Sequence, residues 1–457
     1  MKAVIFGTGE CYHRYKSGFK NMDIVGVLDN NVEKWNTYID GYPIYSPESI
    51  QHMDFDYVFL VSIHYKEMRK QLIELGVSED KIIDEEHLLF FRHLVVKESY
   101  MFPECESANG EKKRILLISH VLNLTGAPVV FCRLAHVLKQ NGYEVSVYSE
   151  KHSNLKHGDL LYKLLKDGIS VVLYNDLKTL SIADVKEKFD VFWVNTITLY
   201  HIVEKLLPLK KEIFWWLHET DDYYDNLKER IRFPQGENLQ VFSVGWMAAQ
   251  SYEKYSGYNV TGILEYGIPE IIRGTEKITE RLAKISFGLV GVHCERKGQD
   301  VLFSAILQEN KNWEEIAEFY FVGSMPQSIV EEYEKVSNVH CLGEVAPEKL
   351  SSIYENLDVL ICPSRFDPMP VVVSEAMQHK KVCLVTDKVG QCRYITDGYN
   401  GLICKSDSVS ELVKKINWII DNRSSLEEIG ERGSKICEEH FSMKAFEKNV
   451  LEIMQGY

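Results

Sequence analysis

Along most of the chain, short uninterrupted apolar runs alternate with longer stretches in which apolar side chains recur at helical spacing. Runs such as KAVIF, RILLIS, EIFWWL and VCLVT have too little polarity for exposed strands and read as buried strands of parallel sheets. Between them, YKEMRKQLIEL at 65–75 places Met68, Leu72 and Leu75 on one face and stops at Gly76, which predicts an amphipathic helix. The alternation puts the chain in the α/β class, with helices on both faces of parallel sheets. Three α/β units separate. The first, 1–98, holds strands at KAVIF, DIVGVLD and DYVFLVSI, and the polar stretch around FPECESANGEKK makes 99–113 a linker. The second, 114–270, opens with RILLIS, and the third, 271–435, has its first strand at ISFGLVGV. The remaining segment, 436–457, contains FSMKAFEKNVLEIM and is predicted to be a helix. Two tandem units of similar size imply a cleft, and open α/β sheets bind ligands at the carboxyl ends of their strands.

One such end carries the most chemistry. Residues 357–378, LDVLICPSRFDPMPVVVSEAMQ, read as a buried strand, a tight loop and a helix start, with Asp367 and Glu375 seven residues apart across the junction. Pro368 and Pro370 hold Asp367 and Met369 extended, and Pro370 suits a first helical turn. The amides of Val371, Val372 and Val373 then face an anion such as a diphosphate at the positive end of the helix. Glu375, about one turn further in, could accept the hydroxyls of a ribose, and Asp367 stays in the loop nearer to whatever lies beyond the phosphates. The same residues also fit a helix N-terminus whose acids simply complement the dipole.

With 457 residues and 45% hydrophobic content, two or three packed domains are expected. The formal net charge of -15 argues against nucleic acid as the main partner and against broad attraction to an anionic bilayer. No apolar run approaches a membrane span, and Met1 leads directly into a strand, so the chain is expected in the cytoplasm. Its 10 cysteines include no CxxC pair and fall mostly in or beside apolar strands, which favours reduced thiols over a zinc or disulfide framework.

Further candidates fall at other strand ends. In HCERKGQD, Arg296 and Lys297 precede a helix beginning near Gln299, and Gly298 permits a sharp turn; two cations there would stabilise a departing diphosphate without a metal, though a solvated basic turn has the same sequence. In HVLNLTGAP, before a helix opening at Pro128, Gly126 leaves its main chain open to a phosphate or sugar, and it also fits an ordinary turn glycine. This loop lacks the P-loop pattern. EIFWWL ends in His218, placed to bond a sugar hydroxyl or to serve structurally beside the aromatic residues. Gly390, after VCLVT, could present its backbone to a donor sugar.

Together these pieces resemble the GT-B glycosyltransferases of the retaining, family 4-like group. The resemblance spans about 114–457 and rests on SHVLNLTGAPVVFCRLAHVLKQNGYEVSVYS, GLVGVHCERKGQDVLFSAI, FVGS, VHCLGEVAPEKLSSIYENLDVLICPSRFDPMPVVVSEAM and VGQCRYITDGYNGLI, in that order. It implies two Rossmann-like domains facing a cleft, 114–270 for the acceptor and 271–435 for a nucleotide-sugar donor, with 436–457 crossing back to the acceptor domain. It also implies transfer of a sugar from a nucleotide diphosphate sugar to an acceptor hydroxyl, a sugar or lipid-linked glycan, with retention and without metal or other cofactor. Cell-surface polysaccharide or glycoconjugate assembly is the implied setting. Glu375 would hold the ribose, Asp367 would face the donor sugar, Arg296 and Lys297 would bind the diphosphate, Gly126 would close over the phosphates, and His218 would lie beside the transferred sugar. Met369, Pro370, Val371, Val372 and Gly390 complete the implied donor site. The first acid is usually glutamate and is Asp367 here, and PMPVV stands where PFGLV is common.

The first domain has FGTGECYHRY after its opening strand, with Gly7 and Gly9 in place but Tyr12 where a dinucleotide fingerprint has a third glycine, and with Asp29 at about the expected distance. It resembles the small Rossmann-like module fronting some sugar acyltransferases and polysaccharide-assembly proteins, and either a docking or a ligand-binding role is open. Asp54 and Asp56 form the lone DxD, before a strand of this domain and misplaced for a metal-holding pair. The stretch 197–211, ITLYHIVEKLLPLKK, mixes apolar residues with Lys205, Lys210 and Lys211, as a packed helix or a contact with the cytoplasmic membrane face would. Two other readings stand beside transfer: a decayed transferase cleft serving as a nucleotide-sugar-binding scaffold, and an NAD(P)-linked oxidoreductase or epimerase centred on Gly7, Gly9 and Asp29.

Overall fold

The computed structural model describes residues 2–19, 22–62, 64–83, 94–97, 113–150, 160–227, 230–271 and 284–456. The expected linker at 99–113 lies outside them apart from Lys113. The chain divides into two compact units, 1–215 with 234–240 and 216–233 with 241–457.

In the first unit, a six-stranded sheet runs in the order Tyr38–Ile39, Tyr42–Tyr45, Asp23–Leu28, Lys2–Phe6, Tyr57–Leu60, Ile82–Ile83. All neighbours are parallel except the first two, which form a hairpin. Asp40 and Gly41 at its tip take positive φ angles of 48° and 89°, the backbone a tight hairpin requires. Val4, Phe6, Leu28, Val58 and Leu60 pack with Met68 and Leu72 of the helix Tyr65–Glu74, the face expected from the spacing.

The same unit holds a second parallel set: Val191–Asn195, Arg114–Ser119, Glu144–Glu150, Ser170–Tyr174 and Leu94–Lys97 are successive neighbours. Leu94–Lys97 thus pairs with Ser170–Tyr174, away from the first sheet. The helix after Arg114–Ser119 spans Gly126–Gln140, two residues longer at its start than expected. Pro128 is tolerated in its first turn because amides there have no intrahelical acceptor.

The stretch 197–211 is a packed element. Ile197, Leu199, Ile202, Val203 and Leu206 are buried, Lys205 donates to the Lys178 carbonyl at 2.5 Å, and Lys211 to that of Phe189 at 2.5 Å. Its apolar side therefore faces the core. No helix among the described residues is long and apolar enough to cross a membrane.

The second unit is built on a six-stranded, all-parallel sheet in the order Val339–Gly343, Ala317–Val322, Ile285–Val290, Val359–Cys362, Val382–Thr386, Leu402–Cys404. Ile285–Val290 is buried at every position, as its apolar run demands. Trp313 closes the core beneath it, fully buried, with its indole N–H donated to Asn417 Oδ1 at 2.8 Å. The C-terminal helix Met443–Gln455 starts at Ser442, whose Oγ accepts the Ala445 amide at 3.1 Å. It buries Phe446, Val450 and Met454, four residues apart on one face, for roughly 1.5–3 kcal/mol each. Phe446 stacks on Trp216 at 5.9 Å, and the Ile268 amide donates to the Phe441 carbonyl at 2.8 Å, so this tail is fastened to residues of the 114–270 segment.

Candidate functional site

The loop after Ile285–Val290 tightens into a single turn, Glu295–Lys297, and reverses at Gly298 before the helix Gln299–Trp313. Gly298 has φ +70°, and a Cβ there would fall inside the Pro363 carbonyl, so the turn can be this close only with glycine. Arg365 clamps the arrangement from the neighbouring loop. Its amide donates to the Arg296 carbonyl at 2.8 Å, and its guanidinium reaches Asp300 at 2.7 and 3.0 Å and Asp407 at 2.8 Å.

With the backbone held, both cations meet one carboxylate oxygen. Arg296 Nη1 and Lys297 Nζ each lie 2.7 Å from Asp367 Oδ2, and Arg296 Nη1 also donates to the Phe366 carbonyl at 3.2 Å. Asp367 is buried. Burial opposes its charged form, but the charges of Lys297 and Arg296 outweigh it and leave the carboxyl below the ordinary carboxylate range. Burial likewise works against the charge of Lys297 and Arg296, and Asp367 more than restores it. Asp367 therefore faces two cations that solvent still reaches in part, a positive site with a buried acid behind it.

Main-chain bonds lock Asp367 to the segment after Val382–Thr386: its amide donates to the Lys388 carbonyl at 2.8 Å, and the Gly390 amide donates to the Asp367 carbonyl at 2.9 Å. A Cβ at 390 would fall inside the Pro368 carbonyl, so the two loops approach this closely because Gly390 has no side chain. Pro370 is the cap rather than the first helical residue, with φ -64° and ψ 122°, and the helix is Val371–Gln378. The Val373 amide is taken by the Pro370 carbonyl at 3.2 Å, which corrects the expectation that three amides stay available. Val371 and Val372, in the first turn, have no intrahelical carbonyl to reach.

Glu375 sits in this helix and accepts the Tyr354 hydroxyl at 2.9 Å. Burial, then the Glu375 charge, pushes the Tyr354 phenol well above its usual range, so it stays a donor. The fully buried Gln391 amide donates to the Pro370 carbonyl at 2.8 Å, Tyr266 Oη at 3.1 Å and Ser374 Oγ at 3.2 Å, tying the helix cap to the Gly390 loop.

Arg296, Lys297, Asp367, Met369, Pro370, Val371, Val372, Glu375 and Gly390 thus lie on contiguous loops and one helix of the second unit. His218 follows the strand Glu212–Leu217, half-buried, its ring 4.9 Å from that of Trp216. Gly126 is in the first unit, as the first residue of its helix, with nothing within 4 Å of where a Cβ would stand. Tyr354 and Gln391 were not among the expected site residues. Tyr354 is a buried aromatic in an ordinary amphipathic helix, and no local pattern marks its hydroxyl. Gln391 adjoins Gly390, so its position was the available signal.

The nucleotide-like motif of the first unit is differently arranged. Asp29 accepts from the Thr8 amide at 3.1 Å, from the Thr8 hydroxyl, from the Asn31 amide at 2.8 Å and from Lys34 Nζ at 3.3 Å. Both of its oxygens are committed within the chain, and Tyr12 is buried where the third glycine was missing. Asp54 is exposed and paired with Lys2 Nζ at 2.6 Å.

Residues 275–436 match the profile of Glycosyl transferases group 1, 111–251 that of Glycosyl-transferase family 4, and 1–83 that of C2185-like, N-terminal. The chain thus carries two successive regions that match glycosyltransferase profiles. Among curated relatives, the uncharacterized glycosyltransferase MJ1178 of Methanocaldococcus jannaschii is 28% identical over 174 residues. That match covers 38% of this chain and 48% of the relative, so the likeness extends over about half of that protein. Among solved structures, Anabaena Alr3699/HepE in complex with UDP-glucose superposes with a TM-score of 0.61 at 17% identity, covering 75% of this chain and 100% of that one. Sucrose-phosphate synthase from Thermosynechococcus elongatus does so with a TM-score of 0.58 at 16% identity, covering 76% and 99%. These likenesses give the GT-B fold, with the region matched by the third profile as a separate addition at the N-terminus.

Proposed function

We propose that this GT-B chain transfers a sugar from a nucleotide diphosphate sugar to an acceptor hydroxyl, with retention at the anomeric carbon. The observation that carries the reading is the convergence of Arg296 and Lys297 on Asp367 beside the start of the helix that bears Glu375. In this reading Glu375 takes the ribose hydroxyls. Val371 and Val372 amides, with Arg296 and Lys297, take the diphosphate. Asp367, Met369, Pro370, Gly390 and His218 surround the sugar. The bond from the anomeric carbon to the phosphate oxygen breaks while a bond to the acceptor oxygen forms on the same face, and the acceptor proton passes to the departing phosphate. Charge develops on the leaving diphosphate, where two preorganised cations stabilise it most. No metal enters this scheme. The binding of UDP and UDP-glucose by the Anabaena protein supports a nucleotide-sugar donor. Assembly of a cell-surface polysaccharide or glycoconjugate is the setting we propose, with 1–98 as a docking module.

The test is release of nucleoside diphosphate from UDP-, GDP-, ADP-, dTDP- and CDP-glucose, with the product anomer read by NMR. At least one donor is expected to turn over, and Glu375→Gln should lower donor affinity about ten- to a hundredfold, the worth of a charged hydrogen bond. Absence of binding by all five nucleotides would remove the reading. One observation favours a second reading, a nucleotide-sugar-binding scaffold: both cations already share a carboxylate shorter than the usual glutamate. Calorimetric binding without turnover of any donor would select it.

A further inference from the structure

Trp246 opens the helix Trp246–Ser256 after Gly245, and its indole reaches far along the chain. Its Nε1–H donates to the Gly390 carbonyl at 2.9 Å, across 144 residues of sequence. Gly390 is fixed on its other side as well, through its amide to the Asp367 carbonyl at 2.9 Å. The planar peptide between Gly390 and Gln391 therefore has its orientation set by the indole, because its carbonyl is held and the amide points the opposite way. Gly245 adds a steric term. A Cβ at 245 would stand 2.5 Å from Met369 Cε, so the thioether methyl fills the space that the missing side chain leaves. The same methyl lies 3.3 Å from where a Cβ of Gly390 would be. Met369 is one of the residues that depart from the common family pattern, and it is buried against these two glycines.

We infer that Trp246, with Gly245 behind it, is a positioning residue for the sugar end of the donor site, acting through Gly390 and Met369. The inference rests on the donor site proposed above and adds a division of labour within it. Arg296, Lys297 and Glu375 recognise the nucleoside diphosphate, while the Gly245–Trp246 turn sets the backbone and the methyl group that meet the sugar. Its loss therefore separates two affinities that a general loosening of the fold would lower together.

Calorimetry with UDP against UDP-glucose, and ADP against ADP-glucose, reads this directly in wild type, in Trp246→Phe, and in a protein carrying β-(3-benzothienyl)alanine at 246. The last keeps the ring shape and replaces only the N–H, which guards against a folding defect in the phenylalanine variant. Affinity for the bare nucleoside diphosphate is expected to stay within about twofold of wild type, and the ratio of sugar-bearing to bare affinity to shift about tenfold, the worth of one hydrogen bond to a fixed carbonyl. Hydrogen exchange should quicken across 388–392 in both variants. Unchanged ratios, or a parallel fall in both affinities, would overturn the role of Trp246 while leaving the donor site standing. Failure of the wild type to bind UDP, ADP or any of the other three nucleoside diphosphates would overturn both.

Discussion

Asp29 and Asp367 are the same kind of residue in the same kind of place. Each is a buried aspartate after a strand of a parallel sheet, each meets a lysine, and each carboxyl lies below its ordinary range although burial opposes its charge. Their partners differ. Asp29 is held by Thr8, Asn31 and Lys34, with four donors spread over both oxygens, so its hydrogen-bonding capacity is spent on closing its own loop. Asp367 meets two full cations through one oxygen, and those cations outnumber it. A satisfied acid finishes a structure, whereas an outnumbered one leaves charge for a ligand. This is why a fingerprint-like sequence in the first unit yields a stapled turn and a basic turn in the second yields a candidate anion site.

The comparison can be broken most forcefully at Lys297. Lys297→Ala should lower nucleoside diphosphate release by about a hundred- to a thousandfold, the usual cost of losing one group that stabilises developing charge, and a fall of less than tenfold would mean that the cluster is structural like that of Asp29. Asp367→Asn should destabilise the chain by about 1–2 kcal/mol, since it leaves the half-buried Lys297 and the more exposed Arg296 without their anion. It should also tighten the binding of bare nucleoside diphosphate, because the competing internal anion is gone. The advantage of wild type over this variant has a defined pH course. The folded carboxyl lies below its unfolded value of about 3.9, so the stabilisation is complete above that value and is lost as pH falls through the lower, folded one. Urea melts between pH 3 and pH 7 would show a constant difference if Asp367 did not hold this charge. Tyr354→Phe should weaken nucleoside diphosphate binding about fivefold, near 1 kcal/mol, by freeing the Glu375 carboxylate from its set rotamer. The smallest effect belongs to Asp29→Asn: about 1 kcal/mol of stability, because Lys34 reaches the acid from solvent, and under twofold in nucleotide affinity. A large loss of nucleotide affinity there would mean that the first unit takes part in donor binding.

What the amino-acid order determined by itself was local. The apolar runs at 2–6, 114–119, 285–290 and 382–386 became buried parallel strands, since a chain segment without polar faces has to be covered on both sides. Gly298 and the spacing of Pro368, Pro370 and Glu375 likewise carry their meaning within one loop or one helical turn, where backbone sterics act. Tertiary structure decided whatever depended on partners far away in sequence. The strand Leu94–Lys97 went unread in the sequence, and only folding shows that it joins Ser170–Tyr174 instead of the first sheet. Arg296 and Lys297 announce positive charge but not that both would converge on one oxygen of Asp367. Trp246, Tyr354 and Gln391 announce burial alone, and the direction of a single N–H or O–H within a core follows from the packing of elements brought together only by folding.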